Sequence, residues 1–119
     1  MTSAEYSIAR SKAGRWKGEA VLRPFALTRG IPDDLPAHRT AIYVAELGDC
    51  RVAYVGQTRK GVRKRLLQHA RQWERNTRWA YVWIVPVIDT VPAHELNRIE
   101  GRIGLLLRPC ETSLLPRPY

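Results

Sequence analysis

The chain has 119 residues, with 20 lysines and arginines against 11 aspartates and glutamates, a formal net charge of +9, and 45% hydrophobic residues. That length allows one domain with little room for a second, and the hydrophobic share is too high for a disordered polymer. There is no apolar run long enough to span a membrane and no secretory h-region in Met1–Arg10, and two cysteines, Cys50 and Cys110, cannot build a disulfide framework or a four-cysteine zinc site. The expectation is a soluble, cytoplasmic protein with a polyanionic partner, nucleic acid before membrane surface.

Residues 1–17 mix small, polar and basic side chains and read as an arm or a short helix. Residues 18–28 suggest a short extended segment, placed at a sheet edge by Pro24. Gly30–Pro36 is turn chemistry and leads into the main domain. Two strand-like runs follow, Ala41–Leu47 and Cys50–Gln57, around Gly48-Asp49. Glycine first in a two-residue loop predicts a type II′ hairpin that pairs Tyr43 with Tyr54 and sets both on one face. Gly61–Arg75 reads as an amphipathic helix with Val62, Leu66, Ala70 and Trp73 as its buried stripe. Arg65 and His69 are neighbours at the edge of that stripe, whereas Lys64, Arg71 and Arg75 lie on the opposite face.

Arg78–Ile88 is the strongest strand signal, apolar in both alternating sets, and predicts a strand covered on both faces. Asp89-Thr90 followed by Pro92 opens a second helix with Leu96, Ile99, Ile103, Leu106 and Leu107 as its apolar stripe and Glu100 at the stripe's margin. Pro109 ends it, and the remaining tail reads as irregular.

The surplus charge is concentrated. Residues 51–79 carry nine cations, Arg51, Arg59, Lys60, Arg63, Lys64, Arg65, Arg71, Arg75 and Arg78, against Glu74 alone. Seven of the nine are arginine, whose planar fork suits phosphate, and the block reads as a phosphate-binding surface rather than a merely solvated helix face.

In chain order the sequence presents Ala41-Ile42-Tyr43, then Tyr54-Val55-Gly56, Gln57-Thr58, Arg65 with His69, and finally Glu100. Together with the tract YVGQTRKGVRKRLLQH, this set resembles the GIY-YIG nuclease family over about residues 40–109. The resemblance implies an α/β (α+β) domain with a small, three-stranded, mainly antiparallel sheet flanked by helices. Residues 1–39 would be an N-terminal extension and 110–119 a tail.

It also implies roles. Tyr43 would act beside the attacking water as a general base or its orienter, and Tyr54 would hydrogen-bond in the same site. Gly56 would let backbone approach the phosphate. Arg65 would neutralise developing phosphoryl charge, His69 would contact the phosphate or the nucleophile, and Glu100 would bind one magnesium or manganese ion. Gln57, Thr58, Arg59, Lys60, Arg63, Lys64, Arg71 and Arg75 would bind substrate. Ala41 stands where the first motif has glycine and Val55 where the second has isoleucine. The asparagine that many members carry after the arginine-proline is absent beyond Arg108-Pro109, where Thr112 or Ser113 offers a hydrogen-bonding group.

Each residue has a plainer reading: cross-strand packing for the tyrosines, an ion pair for Arg65 and Glu100, a surface position for His69. The combination points instead to a metal-dependent endonuclease acting on DNA, with RNA not excluded. The alternative is a catalytically weak or inactive nucleic-acid-binding module of the same fold. A homodimer or a protein inhibitor is compatible with the sequence, but no residue pattern indicates either.

Overall fold

The structure, a computed structural model, describes residues 1–70 and 79–111. Its elements in chain order are α1 (Ser3–Ser11), a short 3₁₀ turn at Gly14–Trp16, β1 (Phe25–Ala26), β2 (Ala41–Glu46), β3 (Val52–Thr58), α2 (Val62–Ala70), β4 (Tyr81–Pro86) and α3 (Ala93–Leu107). The expected residues Arg71, Trp73, Arg75, Arg78, Thr112 and Ser113 lie outside the described residues. No helix among the described residues is long and apolar enough to cross a membrane.

The four strands form one antiparallel sheet in the order β1-β4-β2-β3. The sheet therefore has four strands, not the expected three. The extra strand is the two-residue β1 at the edge, where Phe25 pairs with Val82 and Ala26 with Tyr81. It comes from the segment that Pro24 marks as an edge, and its shortness leaves little unpaired backbone for another chain to join. At the opposite edge, the N–H groups of Cys110 and Glu111 donate to Val52 O at 3.1 Å and Ala53 O at 2.8 Å, so the chain after α3 returns along β3.

The β2–β3 connection corrects the expected hairpin. Gly48 does not take a positive φ, as a II′ turn would require; the left-handed residue is Cys50, at φ 68°. Leu47 donates to Arg51 O and Cys50 donates to Leu47 O, each at 2.9 Å. This is a three-residue loop ending in a left-handed residue, which shifts the pairing by one. A bulge then leaves Ala53 unpaired between the Glu46–Val52 and Ala45–Tyr54 pairs and shifts it by one more. Tyr43 consequently lies opposite Gly56 instead of Tyr54. The two offsets sum to an even number, so both tyrosines still share one face.

Side-chain alternation divides the interior between the two faces. On one face Ile42, Val44, Val55, Trp83 and Val85 pack under α1 and α3 through Tyr6, Ala9, Leu96, Ile99 and Ile103. On the other, Ala41, Tyr43, Ala45, Val82 and Ile84 pack with Phe25, Leu27 and Trp79 and with Val62 and Leu66 of α2. The double apolar alternation of β4 is thus used on both faces. The stripe of α3 is shorter than expected, because Leu106 is 40% exposed where the helix end runs past its buried stretch. The helix stops at Arg108, which takes a left-handed conformation (φ 51°) just before Pro109.

The N-terminal residues belong to this core. Thr2 and Glu5 form a capping box on α1, each side chain serving the other's backbone N–H. Tyr6, fully buried, donates its hydroxyl to Ile84 O at 2.7 Å and accepts from Val21 N at 3.0 Å. The Met1 ammonium pairs with Glu46, whose other carboxylate oxygen accepts from Trp83 Nε1 at 2.7 Å. Residues 1–21 are in this way tied to the sheet by buried polar contacts as well as by packing.

Tyr6→Phe should therefore cost about 1–3 kcal/mol, because Val21 N is left unsatisfied while the ring packing is kept. Urea denaturation of the two proteins measures this, with an unchanged m-value expected.

Candidate active site

The expected site residues come from both faces of the sheet and meet at the β3 edge. Tyr43 starts from β2, one strand in, and its ring lies across Gly56 of β3. A Cβ on Gly56 would sit 2.5 Å from Tyr43 Cζ and 2.7 Å from Tyr54 Cε1, besides colliding with the Tyr43 hydroxyl. The close approach that this glycine permits is to Tyr43. Without a side chain at position 56, the phenol reaches toward α2, where its oxygen lies 2.9 Å from His69 Nε2.

His69 is held within a cluster of rings. Tyr54 stacks on Trp79 with centroids 5.3 Å apart and meets His69 edge-on at 5.0 Å, while Trp79 and His69 are 4.7 Å apart. Tyr43 stacks on Tyr54 at 6.0 Å. Trp79 Nε1 donates to Glu111 Oε2 at 2.7 Å. Glu111 follows the Arg108-Pro109 pair, so a polar group from that region does reach the ring cluster, but it is a carboxylate acting through a tryptophan. The expected strand contained Trp79, but nothing in its alternation distinguished it as the partner of a residue far along the chain.

Glu100 and Gln57 project from the α3 side. Glu100 is only 8% exposed. Burial raises its carboxyl from 4.5 to about 7, and this rise is opposed by hydrogen bonding from Gln57 and by the charge of Arg65. Gln57 Nε2 also donates to Asn97 Oδ1 at 2.7 Å. Asn97 is a site neighbour the sequence did not single out; its place one turn before Glu100 on α3 was the available signal.

Arg65 joins the two halves. Its charge acts on Tyr43, His69 and Glu100 alike. Burial is the main cause of the upward shift of the Tyr43 phenol, reinforced by Tyr54 and Glu100, and Arg65 opposes it. Burial first, then Arg65, lowers His69. At neutral pH the pair therefore consists of an un-ionised phenol and a neutral imidazole. Arg65 makes no ion pair with Glu100 among the described residues: Nη1 donates to Gln68 Oε1 at 2.6 Å, and Nε is buried without a partner.

Arg65 opens onto a cleft of about 340 Å³ lined by Gln57, Thr58, Arg59, Lys60, Lys64 and Gln68. Lys64, expected to face away from Arg65, borders the same cleft, because residues one apart on a helix can both flank a groove that runs along it. Not all of the basic block is open to a ligand. Arg59 donates to Val91 O at 2.6 Å, Arg63 donates to Pro32 O at 2.6 Å, and Arg51 pairs with Asp49 at 2.6 Å.

Among the described residues no three His, Cys, Asp or Glu side chains converge as a metal cluster. A hard divalent cation fits nonetheless, since it needs only one carboxylate when water and phosphate oxygens complete its shell. Glu100 would supply that carboxylate, with the hydrogen-bonded Gln57–Asn97 pair beside it. A cation would also favour the ionised form that burial disfavours. No protein-family model, curated protein or solved structure matches the chain.

Because the folded-state value of Glu100 is raised, its contribution to stability is complete below pH 4.5 and is lost as pH rises to about 7. In metal-free buffer, Glu100→Gln should gain stability relative to wild type across that window, measured by denaturation at a series of pH values. Gly56→Ala should lose about 1–3 kcal/mol through overpacking and break the Tyr43–His69 contact, which the imidazole NMR shifts of His69 would report.

Proposed function

We propose that the protein is a metal-dependent endonuclease that hydrolyses phosphodiester bonds in DNA with water as the nucleophile, of the GIY-YIG type its motifs resemble. The observation that carries this reading is the position of Arg65. One cation acts on a phenol, an imidazole and a carboxylate from the mouth of a basic cleft. Three acid–base groups of different chemistry around one cation are more than packing requires.

In this mechanism the scissile phosphate lies in the cleft, with Lys60 and Lys64 holding non-bridging oxygens. The Arg65 guanidinium, at the mouth of the cleft, donates to the phosphoryl oxygen whose charge grows as water attacks. Tyr43, kept as a phenol by burial, orients the water. As the new P–O bond forms, the water proton passes to the Tyr43 oxygen while the phenol proton moves to His69 Nε2, which is neutral and able to accept it. Glu100, with the Gln57 and Asn97 amides beside it, would hold magnesium or manganese. The ion would polarise the phosphate and stabilise the leaving oxygen. The ring contacts of Tyr54 and Trp79 keep the imidazole in place.

Nicking of supercoiled plasmid by the full chain tests this. Wild type should cut with magnesium and not with EDTA, and Glu100→Ala and Arg65→Ala should each lose roughly 10²- to 10³-fold in rate. Magnesium should also raise the melting temperature of wild type but not of Glu100→Ala. DNA binding without cutting in any divalent cation would instead identify a binding module.

A further inference from the structure

The turn from β3 into α2 separates two clefts. On one side is the candidate active site. On the other is a cleft of about 400 Å³, formed where residues 33–39 pass the start of α2. Among the described residues, His38, Arg39, Lys60 and Arg63 line it, against the acidic Asp33. Lys60 lines both clefts and stands on the wall between them.

This second cleft is braced by its own hydrogen bonds. Gly61, at φ 93°, donates to Arg39 O at 2.9 Å, and the Thr58 hydroxyl accepts from Lys60 N at 3.0 Å, which fixes the turn that carries Lys60. Arg63 Nη2 donates to Pro32 O, holding its guanidinium against the loop that forms the opposite wall. Arg39 and Lys60 are exposed and make no ion pair among the described residues. His38 Nδ1 is out of solvent without a hydrogen-bond partner. An anion seated here would offset the charges of Arg39, Lys60 and Arg63.

We infer that this second cleft seats a phosphodiester flanking the scissile one on the same DNA strand, with Lys60 shared between consecutive phosphates. The inference rests on the nucleic-acid reading above and assigns His38 and Arg39 to substrate binding. The phosphate of a free nucleotide has the same chemistry. A strand is favoured because the cleft adjoins the first through Lys60 and, among the described residues, has no Phe, Tyr or Trp in its lining on which an isolated base would stack.

The test is anisotropy of a labelled DNA strand of about a dozen nucleotides, in EDTA, over a series of salt concentrations. The proteins are the full-length wild type and the double variant His38→Ala/Arg39→Ala, with folding checked by thermal melting. The double variant should bind roughly five- to tenfold more weakly at low salt, with a salt slope shallower by about 1 to 2. If it does not fold, Arg39→Glu, a change at an exposed side chain, carries the same expectation. Unchanged affinity and slope would overturn the inference while leaving the nuclease reading intact. Wild type that binds no DNA would remove both. Saturation of wild type by deoxyadenosine monophosphate at micromolar concentration, lost in the variant, would make the cleft a nucleotide site and overturn its assignment to the strand.

Discussion

Every other element is placed relative to β2. It lies between β3 and β4 in the sheet, and all six of its residues are buried. Ile42 and Val44 belong to the core under α1 and α3, while Ala41, Tyr43 and Ala45 belong to the core under α2. A strand with no wet face has no tolerance for a polar tip unless another group receives it. Tyr43 meets that condition by crossing Gly56 to His69. Glu46 meets it with the Met1 ammonium and Trp83 Nε1. The candidate site is in this sense the place where the interior resolves one of its own polar groups, and the missing side chain at position 56 makes that possible.

The same burial shapes the electrostatics. Glu100 and Tyr43 are both pushed toward their neutral forms by loss of water, and His69 is pushed the same way. Arg65 lies among them, with hydrogen bonds to the Gln68 amide oxygen and to Tyr43. Cations nearby that are already engaged, Arg59 with Val91 O and Arg63 with Pro32 O, serve the architecture as much as the surface. Counting basic residues in the sequence cannot separate these two uses, because both need the same guanidinium.

Much of the fold was legible from local pattern. The double alternation in β4 announced a strand buried on both faces, and the spacing of Leu96, Ile99 and Ile103 announced the buried side of α3. What local pattern could not supply was anything settled by partners distant in sequence. Phe25–Ala26 is too short to carry a strand period and becomes β1 only because β4 offers an edge. The Trp79–Glu111 and Gln57–Asn97 contacts join residues 32 and 40 positions apart. Gly48 has the residue type of a II′ turn, while the positive φ falls on Cys50, two residues later.

The bulge at Ala53 has a consequence for how this hairpin can change length. The loop and the bulge each displace the pairing by one residue, and only their sum returns Tyr54 to the face that carries Tyr43 and His69. Loss of the bulge alone, or a single-residue insertion in the loop, would reverse the facing of one strand against the other. Changes of two residues, or one in each place, would preserve it. The hairpin thus behaves as a parity device: its length is free to drift in even steps, and odd steps exchange a core strand for its mirror pattern.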